Sequence, residues 1–209
     1  MRGIHAFQAN YFATNRGLFE QLSTDGQRPE TLFITCSDSR VVPNLITGAA
    51  PGELFIVRNV GNIVPSVERG LMGGVAAAIE YAVQVLEVEN LIVCGHTRCG
   101  AVEVIIHPER AEHLPFVSRW LAESAHLPAL IAERYAHLDE QARLIAAAQE
   151  NVLLQLENLR TFDFITERLA SGKLKINGWL YEIATGQVFD YDPASEQFLL
   201  LASGEGETP

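Results

Sequence analysis

TLFITCSDSR, residues 31–40, sets an apolar run directly against a thiol, an acid and a guanidinium. NLIVCGHTRCG, residues 90–100, does the same with a histidine and further thiols. Both runs are short and do not alternate, as is LFIV at residues 54–57. That is the pattern of strands covered on both faces of a parallel sheet. Between the second and third runs, GLMGGVAAAIEYAVQVL (residues 70–86) reads as a helix rich in small residues. Strands alternating with helical segments predict an α/β fold.

Working outward, residues 4–23 read as an amphipathic helix with Phe7, Tyr11, Phe12, Leu18, Phe19 and Leu22 on one side. Its aromatic face predicts an N-terminal helical arm (residues 1–30) that packs on a partner subunit. Residues 112–170 read as helical, with Pro115 and Pro128 marking breaks or starts. Beyond them LKINGWLYEI (174–183), QVFDY (187–191) and QFLLL (197–201) alternate. They predict a strand near the sheet edge, continued by a hairpin about residues 184–186. The expectation is one α/β domain, residues 31–202, with a mostly parallel central sheet flanked by helices. Residues 203–209, SGEGETP, are expected to be a disordered tail. Gly70, Gly73 and Gly74 do not directly follow a strand and lack the G-x-G-x-x-G spacing, so close helix–sheet packing explains them better than a dinucleotide loop.

The chain has 209 residues, enough for a hydrophobic core without disulfide staples. Its formal net charge of −11 argues against a nucleic acid or an anionic membrane surface as partner. No apolar run approaches a membrane span, and the first residues show no signal-peptide pattern. Three cysteines beside loop-forming residues fit a reducing, cytoplasmic compartment.

In open α/β sheets, ligands gather at the carboxyl edge of the strands. Both quoted stretches end there, so Cys36, Asp38, Arg40, His96 and Cys99 are expected to converge in one cleft. Two thiolates and one imidazole suit zinc, and a catalytic zinc keeps three protein ligands and an open position. The C…H-x-x-C spacing alone is weak. Asp38 and Arg40 strengthen it, because an ionised carboxylate aimed by a guanidinium orients a metal-bound water. A structural zinc needs neither. Cys94, inside LIVC, reads as a core residue. Glu103 and His107, four apart on a predicted helix, read as a surface contact rather than a second metal pair.

The motifs CSDSRV and GHTRCG, with PGELFIVRNVGN between them, resemble the β-class carbonic anhydrases. The resemblance runs from residue 17 to residue 191, through EYAV (80–83) and NGWLYEIATG (177–186). Residues 17–47 look especially like cyanobacterial carboxysomal members. By that resemblance the zinc ligands, one ion per chain, are Cys36, His96 and Cys99, and the Asp-Arg dyad is Asp38 and Arg40. It implies reversible hydration of carbon dioxide to bicarbonate and a proton, by attack of a zinc-bound hydroxide that the dyad orients. It further implies a homodimer or higher homo-oligomer, located in the cytoplasm or a carboxysome. Two thiolates leave such a site near zero net charge, so it acidifies water less than a three-histidine site, and alkaline-shifted activity is expected. The alternatives are a COS or CS₂ hydrolase of the same fold and a non-catalytic zinc-binding bicarbonate sensor or scaffold; the intact Asp38 and Arg40 argue against the second.

Three positions depart from the family pattern. Phe33 stands where a bicarbonate-linked switch commonly uses Trp, and it has no N–H donor. That switch is therefore not expected, although Arg58 and Tyr181 remain able to line such a pocket. Val42 replaces a frequent Asp or Pro. Arg98, inside HTRCG, is expected to point into solvent.

Overall fold

In the computed structural model, which describes residues 2–67 and 73–201, the three apolar runs become strands β1 (Thr31–Cys36), β2 (Leu54–Asn59) and β3 (Asn90–His96). β1 lies between the other two and pairs with both in parallel. Three further strands, β4 (Lys175–Glu182), β5 (Gln187–Asp192) and β6 (Gln197–Leu200), complete one sheet in the order β2-β1-β3-β4-β5-β6. β4 is parallel to β3, whereas β5 and β6 continue as antiparallel neighbours. The 174–183 segment becomes β4, third from the β6 edge, and the hairpin expected about residues 184–186 joins it to β5.

Successive side chains of a strand face opposite ways. Leu32 and Ile34 of β1, with Leu91 and Val93 of β3, face a helical layer. That layer holds α4 (Gly74–Glu80), α8 (Glu140–Arg160) and α9 (Asp163–Ala170). Phe33, Ile92 and Cys94 face the other way and pack with Ile56, Trp179 and Tyr181, all of them strand residues. Helix α8 sits close on the sheet because two strand glycines allow it. A Cβ at Gly95 would lie 2.7 Å from Val152 Cγ2, and one at Gly178 would lie 2.9 Å from Leu156 Cδ1. Close packing was expected of Gly70, Gly73 and Gly74 instead. A Cβ at Gly73 or Gly74 would meet nothing within 4 Å, and Gly70 lies outside the described residues.

The remaining helices follow their punctuation. Pro43 opens α3 (Pro43–Thr47) and Pro115 opens α6 (Pro115–Leu121), at first-turn positions where a missing N–H costs nothing. Pro128 sits in the first turn of α7 (Leu127–Arg134). Asp139 caps α8 by accepting from the Ala142 amide at 2.8 Å. The N-terminal segment is not the single helix expected over 4–23. It runs as α1 (Arg2–Ala6), π-helical turns over Phe7–Phe12 and, past Asn15, α2 (Arg16–Asp25). None of these elements buries a residue in its own chain. Their aromatic rings pack on one another, with Phe12 and Phe19 centroids 5.1 Å apart. The expected disordered tail, 203–209, lies outside the described residues.

Candidate metal centre

Strand order reverses between β1 and β3, because β1 leads outward to β2 while β3 leads the other way to β4. A crevice opens at such a reversal, beyond the carboxyl ends of the two strands. Cys36 is the last residue of β1 and His96 the last of β3, on strands in register through Thr35 and Cys94. The chain then turns back sharply through Arg98 (φ 55°), and Cys99 stands immediately before helix α5 (Gly100–Ile106). The ligand atoms of Cys36, His96 and Cys99 lie within 4.8 Å of one another, and the two sulfurs are 3.9 Å apart. All three residues are buried.

Asp38 and Arg40 join them from the loop after β1. Arg40 grips both carboxylate oxygens, Nε donating to Oδ1 at 2.9 Å and Nη2 to Oδ2 at 2.7 Å. Asp38 Oδ2 also lies 3.8 Å from His96 Nε2, too far for a hydrogen bond but next to the cluster. The Asp38 side chain keeps 18% of its surface exposed and Arg40 47%, against none for the His96 ring. The pair therefore forms the solvent side of the crevice, and the cluster its floor.

The loop itself is pinned from β2. Arg58 donates through Nε to the Cys36 carbonyl at 3.2 Å and through Nη2 to the Asp38 carbonyl at 2.7 Å. The sequence marked Arg58 only as a pocket-lining candidate; its hold on these carbonyls has no signature in one dimension. Arg98 is exposed, as expected, and only its carbonyl reaches the site, accepting from Arg40 at 3.0 Å. Val42 is exposed and Phe33 fully buried, edge-on to Trp179. The side chains of Glu103 and His107 take different partners, although the His107 amide donates to the Glu103 carbonyl at 2.9 Å. Glu103 pairs with Arg110, and His107 lies 2.9 Å from Glu140.

Charge in the crevice follows from these contacts. The Cys36 thiol is pulled down to about 4, chiefly because the Cys99 S–H bonds to its sulfur. Cys99 is pushed up by the same contact and by burial. Side-chain hydrogen bonds from Arg40 hold Asp38 well below the usual carboxylate range. Cys94, in the sheet interior, is raised to about 12 by burial.

The donor set fits zinc. His96 Nδ1 lies 3.0 Å from the Thr97 carbonyl, which can only accept, so Nδ1 carries the proton and Nε2 a lone pair. Nε2 is buried without a hydrogen-bond partner. An orphaned buried lone pair is costly, and a cation among the two sulfurs would satisfy it. A crevice of this kind places the chain among α/β proteins that can hold a sulfur- and imidazole-binding dication at a strand edge.

The relatives narrow that class. A family model described as carbonic anhydrase matches residues 31–188. The carbonic anhydrase of Synechocystis sp. is 44% identical over 200 residues, covering 95% of this chain and 72% of that protein. That of Pseudomonas aeruginosa is also 44% identical, over 202 residues, covering 96% and 90%. The solved β-carbonic anhydrase CcaA superposes with a TM-score of 0.92 at 43% identity, covering 95% of this chain and 96% of its own. A tetrameric β-carbonic anhydrase from Sordaria macrospora superposes with a TM-score of 0.81 at 31% identity, covering 90% and 93%. The chain belongs to the β-class carbonic anhydrases.

Proposed function

We propose that this chain catalyses the reversible hydration of carbon dioxide to bicarbonate and a proton, with one zinc ion held by Cys36, His96 and Cys99. When bound, zinc supplies the Lewis acidity that makes a nucleophile of water near neutral pH. The observation that carries the reading is the ion-paired carboxylate beside an unsatisfied imidazole nitrogen. A purely structural metal site has no use for that carboxylate.

The roles of the protein groups follow from their contacts. Arg40 keeps Asp38 ionised and fixes its plane by a two-pronged bond. A carboxylate has about four acceptor positions, so Asp38 retains capacity to accept from a water in the crevice and orient it. Both Asp38 oxygens are engaged by Arg40, which supports a carboxylate held to orient water rather than to serve as a further ligand. Arg58 holds the backbone between ligand and dyad. Two thiolates leave little net charge at the centre, and activity is expected to rise toward alkaline pH.

The assembly is proposed as a homodimer or larger homo-oligomer, with residues 1–30 as an arm on a second copy. Phe7 and Tyr11 are exposed at 43% and 46%, and the helical turns of the arm, Arg2–Phe12 and Arg16–Asp25, bury none of their residues in their own chain. Among the described residues, no helix is long and apolar enough to cross a membrane. The cyanobacterial relatives support a cytoplasmic or carboxysomal place.

Stopped-flow hydration of carbon dioxide, with zinc content measured on the same samples, tests the reading. Wild type is expected to turn over with one zinc per chain. Asp38→Ala is expected to keep the zinc and lose roughly 10²- to 10³-fold in rate, while Cys36→Ala loses zinc and activity together. A zinc-replete wild type without hydration activity at alkaline pH would leave the scaffold reading standing.

A further inference from the structure

Segment 59–67, just after β2, is tied down by side chains from two helices. Asn59 clasps Ile63, its Oδ1 accepting from the Ile63 amide at 2.7 Å and its Nδ2 donating to the Ile63 carbonyl at 2.9 Å. From α8, Asn151 donates to the Gly61 carbonyl at 3.0 Å and Asn158 to the Val64 carbonyl at 2.8 Å, while Gln155 accepts from the Val64 amide at 2.8 Å. These three amides are buried, at 0%, 8% and 0% exposure, on a helix whose other buried positions are all apolar. From α6, Trp120 donates through its indole N–H to the Val60 carbonyl at 2.8 Å. Gly61 takes φ +83°, where a side chain is strained, and a Cβ there would press on that of Ala101 at 3.0 Å.

One peptide plane in this segment reaches the metal cluster. The Gly61 amide donates to Cys36 Sγ at 3.5 Å, an ordinary length for a hydrogen bond to sulfur. The Val60 carbonyl and the Gly61 N–H belong to the same planar trans peptide, so they point in opposite directions. A donor that anchors the carbonyl therefore aims the N–H. Trp120 is that donor, and Asn151 restrains the next peptide by holding the Gly61 carbonyl. Asn151 is itself locked, accepting at Oδ1 from Ser124 Oγ at 3.1 Å and from Gln155 Nε2 at 3.0 Å.

We infer that Trp120, with Asn151 behind it, is a positioning residue for Cys36: together they orient the 60–61 peptide so that the Gly61 N–H withdraws charge from the ligand sulfur. The inference rests on the zinc site proposed above. Donation to a sulfur stabilises its lone pairs and weakens its push on a cation. Partners of this rank tune both the affinity of a metal and its electronic character.

The full-length chain loaded with cobalt(II) in place of zinc provides the test, because the sulfur-to-cobalt charge-transfer band reports the sulfur directly. Trp120→Phe keeps the ring and removes only the donor. It is expected to move that band to lower energy, since a sulfur freed of the donor gives up charge more readily. Asn158→Ala, which loosens the same segment at Val64, is expected to leave the band at its wild-type position. An unchanged band in Trp120→Phe overturns the inference. So does an equal shift in Asn158→Ala, which would make the effect one of general loosening. Should Trp120→Phe fail to fold, Asn151→Ser, which frees Gly61 from the other side, carries the same expectation. If wild type shows no sulfur-to-cobalt band at all, the proposed metal site itself fails. A normal wild-type band with a silent Trp120→Phe sinks only the positioning role.

Discussion

Cys94 and Cys99 occupy one strand and the loop that leaves it, yet they inhabit different chemistry. Cys94 lies inside β3, fully buried among strand side chains, and burial raises its thiol to about 12. Cys99 lies past the strand end, with its sulfur 3.9 Å from Cys36 and within reach of a buried imidazole. Inside the sheet, neighbours on every side leave a thiol only packing to do. At the tip the ladder stops and backbone turns, so side chains from adjacent strands can converge. Distance from the end of a strand, rather than residue type, separates a core cysteine from a candidate ligand.

Substituting the two residues in parallel puts the contrast at risk. Cys99→Ala is expected to reduce bound zinc to under about a tenth of wild type, since one of the three proposed ligands is gone, and to abolish hydration with it. Cys94→Ala is expected to retain zinc and turnover and to cost about 1–2 kcal/mol of stability through a small void. Equal zinc loss in both, measured by metal analysis after gel filtration, would erase the distinction. A smaller effect sharpens it. The Cys94 thiol holds its proton from 9.0 up to about 12 in the folded chain. The folded state therefore binds more protons than the unfolded one across that window. Stability is expected to fall as pH rises from 9 toward 12, with about 1 kcal/mol lost to this group by pH 10. Denaturant titrations should show a shallower alkaline decline in Cys94→Ala; an identical decline would remove Cys94 as its source.

The same logic explains what was legible in the sequence. The apolar runs of β1 and β3 ending on Cys36 and His96 could be read because burial on both faces suppresses alternation and loops begin where it stops. The donor set followed from residue chemistry at those ends. The helix–sheet contact did not: Gly95 and Gly178 make room for α8, while the more conspicuous Gly73 and Gly74 make none within the chain. The amides of α8 were also opaque. Asn151, Gln155 and Asn158 look like solvated helix positions, and only the fold shows that they satisfy the backbone of a loop after β2. Arg58 is alike, a surface-type residue whose partners are carbonyls 22 and 20 positions earlier.

X-ray absorption at the zinc edge of the freshly purified protein examines the meeting of the two strand tips most directly. Two sulfurs at about 2.3 Å and nitrogen or oxygen neighbours at about 2.0 Å are the expected shell. A shell with one sulfur or none would show that Cys36 and Cys99 do not share the ion, and would contradict the account.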